Sequence, residues 1–280
     1  MPNNSQLYLW NDRTLYIGAI PKRTHLCLGA ACFAVFLDGP ASLKGQQQRA
    51  SAQTFLFPAA SAIEIEKHQG RVAILLLDSL GYEYHALLGT MMNSQGGVAW
   101  RAVTEKAVVQ TFKTIVRGKY GAKDLYFWMR SLTRPEDYVL QANYHHDPRV
   151  EKAMNLIKSY GDTPLDILDC AQQTGMTVPE LEAFFYERTG LTLKGFRAWR
   201  LLGDALSYSA QGESVDVAAL KAGFANVEQY FKVFVHHFGM HPRALAKYAP
   251  GADVHVYKTP ISSEEPKETL YSAPDFFEFG

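Results

Sequence analysis

The chain is poor in the residues that build reactive centres. It holds 3 cysteines in 280 residues. Cys27, Cys32 and Cys170 have neither the even number of a disulfide framework nor the close spacing of metal ligands, and they read as small buried hydrophobes in a reducing cytoplasm. There is no His-x-His pair. His25, His68 and His85 are isolated, and His236 and His237, adjacent on a helix, point about 100° apart and cannot share one ion. No nucleophile elbow, Walker loop or dinucleotide fingerprint is present. These absences argue against an enzyme and imply no metal and no cofactor. Long apolar runs are missing too. The longest, Leu26 to Leu37, is interrupted by Gly29 and is too short to cross a bilayer. The first residues, Met-Pro-Asn-Asn-Ser-Gln, show no basic stretch ahead of an apolar one, so no signal peptide is visible and a cytoplasmic protein without a membrane partner is expected.

Net charge is also absent, because 28 Lys and Arg balance 28 Asp and Glu. Its distribution is uneven. Residues 1–148 carry 15 cations against 11 anions, residues 149–250 carry 11 against 11, and residues 251–280 carry 2 against 6. Apolar residues at 47% and charged residues at 20% suit folded domains rather than disorder, and the length allows two of them.

What is present is a repeat. Ile167-Leu168-Asp169-Cys170-Ala171-x3-Gly175 is followed by Leu181, Phe185 and Gly190, and Val215-Asp216-Val217-Ala218-Ala219-x3-Gly223 by Tyr230, Phe234 and Gly239. A small Ala lets two helices cross closely, and a Gly four residues on allows a sharp turn. The apolar residues that follow at helical spacing form the buried face of a second helix, whose other face is free to enter a groove. The pattern predicts two helix-turn-helix units joined by one helix over roughly 193–210, about 27 Å at 1.5 Å per residue. Thr177-x-x-Glu180 reads as a capping box, Asn226-x-x-Gln229 repeats that logic, Ser214 and Thr163-Pro164 read as further helix starts, and Pro148 opens a helix over 149–159.

The first ~95 residues read as short strands separated by turns such as Asp38-Gly39-Pro40, a pattern that fits a barrel or jelly roll. From Trp100 the period becomes helical, with Val103, Ala107, Val108, Phe112, Ile115 and Val116 on one helix and Leu125, Trp128, Met129 and Leu132 on a second. The expected architecture is α+β: a jelly-roll-like β-barrel for sensing or dimerisation over 1–134, with flanking helices at about 101–132, a linker at 135–147, a double helix-turn-helix domain over 148–250, and an acidic, aromatic tail over 251–280. Alternate residues Phe33, Val35, Phe55 and Phe57 are candidate linings of an effector pocket in the barrel.

The stretches GMTVPELEAFFYERTGLTL, FRAWRLL and SVDVAALKAGFANVEQYFKVFVHHFGMHP resemble the AraC family of bacterial transcription regulators. The front part, with LYLWNDRTLYIG, FLDGP and GRVAILLLD, looks like the small barrel domain of one branch of that family. The resemblance implies promoter DNA and RNA polymerase as partners, activation of transcription, a homodimer, and control by a small-molecule or protein effector. Its base-facing positions fall on Pro179, Glu182 and Ala183 in the first unit and on Val227, Glu228, Gln229 and Lys232 in the second. Asn226 joins that second face, and Arg197 and Arg200 are the implied phosphate anchors. The glutamates of the first recognition helix, Glu180, Glu182 and Glu187, the neutral domain and the acidic tail depart from the basic footprint of a DNA binder. They keep open a second reading, a degenerate helix-turn-helix regulator that acts mainly by binding protein. For the tail, three readings are open: a solvated coil, docking across the cations Arg197, Arg200 and Lys232, the favoured one, or docking on the basic N-terminal domain.

Overall fold

The computed structural model describes residues 5–10, 13–45, 49–77, 83–118, 120–133, 148–159, 166–243 and 253–257. The expected linker 135–147, the Thr163-Pro164 helix start and most of the tail lie outside these residues. Strands β1 (Gln6–Leu9), β2 (Thr14–Ala19), β3 (Thr24–Leu26), β4 (Cys32–Phe36), β5 (Ala41–Lys44), β6 (Arg49–Ala52), β7 (Thr54–Phe57), β8 (Ile63–Lys67) and β9 (Arg71–Leu76) come first. A short helix α1 (Glu83–Leu88) and a hairpin, β10 (Met91–Gln95) and β11 (Val98–Ala102), follow. Helices α2 (Glu105–Arg117) and α3 (Ala122–Thr133) complete the N-terminal part.

The strands form two sheets rather than a closed barrel. The larger runs β10-β11-β7-β4-β9-β2-β1-β12, where β12 is Asp253–Val256 from the far end of the chain, and the smaller runs β3-β8-β5-β6. The chain changes sheets between β6 and β7, at Gln53. There the Glu105 carboxylate at the start of α2 accepts from the backbone N–H groups of Gln53 (3.1 Å) and Thr54 (2.9 Å) and from the Thr54 hydroxyl (2.7 Å). One side chain thus satisfies two backbone donors at the crossing and fixes where α2 begins.

Alternation along β4 and β7 sends side chains to two different cores. Phe33, Val35 and Leu56 pack beneath α2 and α3 with Phe112, Ile115 and Met129, whereas Ala34, Phe36, Phe55 and Phe57 pack between the sheets with Leu43, Ile63 and Ile65. The pocket expected from Phe33, Val35, Phe55 and Phe57 is therefore not one site. Successive strand residues point to opposite faces, and Phe33 and Val35 occupy the face that Phe55 and Phe57 do not. All four are buried, and the burial of each contributes about 1.5–3 kcal/mol.

The C-terminal part is helical: α4 (Pro148–Ser159), α5 (Ile167–Thr174), α6 (Val178–Thr189), α7 (Leu193–Ala210), α8 (Val215–Lys221) and α9 (Val227–Phe238). The two glycines expected at the turns have positive φ, +68° at Gly175 and +95° at Gly223. Ala171 and Ala219 are buried at the helix crossings, and Phe185 and Phe234 are the buried centres of the two units. One described segment of the tail returns to the N-terminal part. Its residues 253–257 pair with β1 instead of lying across the cations of the helical domain.

Candidate nucleic-acid interface

Each reading helix starts at a side-chain cap. At α6 the Thr177 hydroxyl accepts from Glu180 N–H, while the Glu180 carboxylate accepts from Thr177 N–H (2.7 Å) and its hydroxyl (2.8 Å). Those hydrogen bonds hold the Glu180 carboxyl below the usual carboxylate range. At α9 Asn226 Oδ1 accepts from Gln229 N–H (2.8 Å), and Gln229 Oε1 accepts from Ala225 N–H (2.9 Å). Asn226 and Gln229 are therefore capping residues first, and each keeps its amide NH2 as a donor for a ligand.

Away from the cores the two helices present different chemistry. The open face of α6 carries Pro179, Glu182, Ala183, Tyr186 and Glu187, all exposed. That of α9 carries Glu228, Gln229, Lys232, Val235 and His236. Lys232 lies one turn beyond Glu228, so the α9 face offers a cation flanked by hydrogen-bonding groups, whereas the α6 face offers two carboxylates and a tyrosine. Arg197 on α7 is exposed, as a phosphate anchor needs. Arg200 is half-buried, and its Nη1 donates to the Ile157 carbonyl at 3.3 Å. This contact ties α7 to α4. The helical position of Arg200 is one turn from that of Arg197, and the Ile157 carbonyl accepts from one of its N–H groups.

Sequence reasoning missed a seam between the helical domain and the small sheet. His237, one of the adjacent histidines, is buried. Its Nδ1–H donates to the Cys27 carbonyl (2.6 Å), and Cys27 N–H donates to the His237 carbonyl (3.0 Å). Burial pushes the His237 imidazole below its ordinary pKa, opposed by the Cys27 carbonyl and aided by His236. Trp199 of α7 packs edge-on against His237, with centroids 4.9 Å apart, and covers Gly29, where any Cβ would collide with its indole. At the end of α9, a Cβ on Gly239 (φ +62°) would run into the His25 carbonyl oxygen. Trp199 and Phe238 extend the core between the sheets, and Ala59 packs on the first unit's core. The only visible signal in the sequence was Gly29 inside an apolar run.

The comparisons agree with this geometry. Residues 170–248 match the family described as "Helix-turn-helix domain". Two structures of ToxT from Vibrio cholerae share the fold. That from strain O395 has 13% identity and a TM-score of 0.56, covering 90% of this chain and 100% of ToxT. That of wild-type ToxT from strain SCE256, bound to an unsaturated fatty acid, has 15% identity and a TM-score of 0.56 with the same coverage. No curated protein sequence matches the chain. At these identities the likeness is one of fold. None of the described helices is long and apolar enough to cross a membrane. Two capped helices joined by α7, together with the matched family, identify residues 170–248 as a helix-turn-helix domain.

Proposed function

We propose that the protein is a sequence-specific DNA-binding regulator of transcription, acting as an activator in the bacterial cytoplasm. The observation that carries this reading is the open face of α9, where Lys232 and the free amide donors of Gln229 and Asn226 project from the second of two units joined by the 18-residue α7. Such a face suits the major groove, where an amide pairs with adenine and a cation with guanine or phosphate. Arg197 is the phosphate anchor from α7, and backbone N–H groups at the start of α9 meet a second phosphate. Promoter DNA and RNA polymerase are the partners. The sandwich with α2 and α3 serves sensing and dimerisation.

One ToxT structure holds an unsaturated fatty acid. In this chain Phe33 and Val35 belong to one core of the sandwich and Phe55 and Phe57 to the other. A small-molecule effector would act at the seam around Trp199 and His237, where the two domains meet, rather than among Phe33, Val35, Phe55 and Phe57.

A second reading, a regulator that works mainly through protein contacts, is favoured by one face. Glu182 and Glu187 on α6 repel phosphate, and Tyr186 stands 58% exposed between them. Anisotropy titration of the full chain on genomic promoter and random DNA across a salt series decides between the two. DNA binding predicts promoter preference with log K falling linearly against log salt. Binding that is undetectable at low salt on every DNA leaves the protein-binding reading.

A further inference from the structure

The helical domain is anchored to the sandwich at both of its chain ends, and the two anchors meet. Its N-terminal end follows α3, which carries Tyr126. Its C-terminal end runs into β12, which adds to the outer edge of β1 as a parallel strand, with Gln6, Leu7, Tyr8 and Leu9 opposite Asp253, Val254, His255 and Val256. Backbone bonds close both ends of the pairing, Asp253 N–H to the Ser5 carbonyl (2.8 Å) and Tyr257 N–H to the Leu9 carbonyl (3.0 Å). His255 stacks on Tyr8 with centroids 4.6 Å apart, and Tyr8, beside the sheet edge, is only 1% exposed. Tyr257 then leaves the strand and packs on Tyr126, 6.0 Å between centroids. Tyr126 in turn lies 6.0 Å from Trp10, whose indole N–H donates to the Ala122 carbonyl of α3 (2.8 Å). Beneath the cluster the Arg13 guanidinium sits 5.0 Å over the Tyr126 ring and pairs with Glu83 at 2.8 Å, both buried.

We infer that β12 and Tyr257 form a clasp, closing on Trp10 and Tyr126, that keeps the DNA-binding domain seated on the sandwich. The seam holds a reciprocal pair of backbone and imidazole hydrogen bonds between Cys27 and His237, Trp199 over Gly29, Gly239 against His25, and Trp199 and Phe238 in the core between the sheets. Such a contact is held shut more firmly by the high effective concentration that tethering at two ends creates than by tethering at one end. The clasp therefore works at a distance. Peeling β12 from β1 loosens the seam at β3, on the other sheet, with no change in any residue of the seam. Because Tyr257 rests on α3, a shift of that helix reaches both tethers of the reading helices at once. Any ligand or second chain that takes the β1 edge would do the same.

Hydrogen exchange read by mass spectrometry on the full chain tests this. Tyr257→Ala should speed exchange in residues 253–257 and, with it, at the Cys27 amide by about tenfold, while the β4–β9 ladder stays as slow as in the unaltered protein and shows that the fold is intact. Faster exchange in 253–257 with an unchanged Cys27 amide overturns the clasp. A second variant works by closure. Leu7→Cys with Val254→Cys, opposite each other in the ladder, should cross-link within one chain on oxidation and slow the Cys27 amide relative to the reduced form. An equal rate in both forms, or a cross-link found only between chains, also overturns it.

Discussion

Gly239→Ala is the most direct probe of the seam, with Gly175→Ala as its matched control. Both glycines end a helix with nearly the same backbone, φ +62° and +68°. An alanine forced into that left-handed conformation costs about 1–2 kcal/mol at either site. The surroundings differ. A Cβ at Gly175 meets nothing within 4 Å, whereas a Cβ at Gly239 strikes the His25 backbone, which cannot rotate away. Relief requires β3 to separate from α9. That breaks the two hydrogen bonds between Cys27 and His237, each worth about 1 kcal/mol net, and partly uncovers Trp199 and Phe238. The expected loss is thus about 1–2 kcal/mol for Gly175→Ala and about 3–4 kcal/mol for Gly239→Ala, read from urea unfolding. Hydrogen exchange at the Cys27 amide should rise only in Gly239→Ala. Equal losses with equal protection of Cys27 would refute the packing argued for the seam.

Other consequences follow from the reading face and its charges. Lys232→Ala should weaken DNA binding more than any single change on α6. The slope of log K against log salt should shrink by roughly 0.9 if the amine meets a phosphate, or about 1–3 kcal/mol should be lost on preferred sequences only if it meets a base; unchanged binding on all DNA would reject the assigned face. Glu182→Gln with Ala183→Arg should raise non-specific affinity and steepen the salt dependence, and a folded double variant with no gain would place α6 outside the groove. Thr177→Ala removes the hydroxyl that accepts from Glu180 N–H, and thermal unfolding should register about 1 kcal/mol, with little change if the cap is replaced by water. His237 has a folded pKa depressed below its ordinary 6.5, so the open form binds more protons. The seam's stability is full above pH 6.5 and is lost as pH falls through the folded pKa of His237. His237→Asn should flatten the part of the acid sensitivity seen at the Cys27 amide, and an unaltered pH profile there would remove His237 as its source.

The two helix-turn-helix units were legible because their determinants are local. Ala171 and Gly175, Ala219 and Gly223, the Thr177–Glu180 box and the Asn226 cap all act within four residues, and they set helix ends that the structure reproduces, including α7 at Leu193–Ala210. Alternation in β4 and β7 was legible as well, but not its consequence. Whether Phe33 and Phe55 share a core depends on which faces two separate strands present after pairing, and the second sheet and the helices α2 and α3 decide that.

Arg200 shows the same limit inside a helix. Its spacing marks it as a neighbour of Arg197, while a carbonyl 43 residues earlier takes its guanidinium. The seam joins Cys27 to His237 and the clasp joins Tyr8 to His255, contacts made by residues of ordinary type with no periodic signature. The sequence alone therefore determined the elements and the kind of reading domain, since capping, turning and amphipathic burial are properties of a few neighbouring residues. The tertiary structure alone decided where that domain sits and what fastens it, because strand-edge pairing and domain contact depend on surfaces that exist only once both ends of the chain have folded.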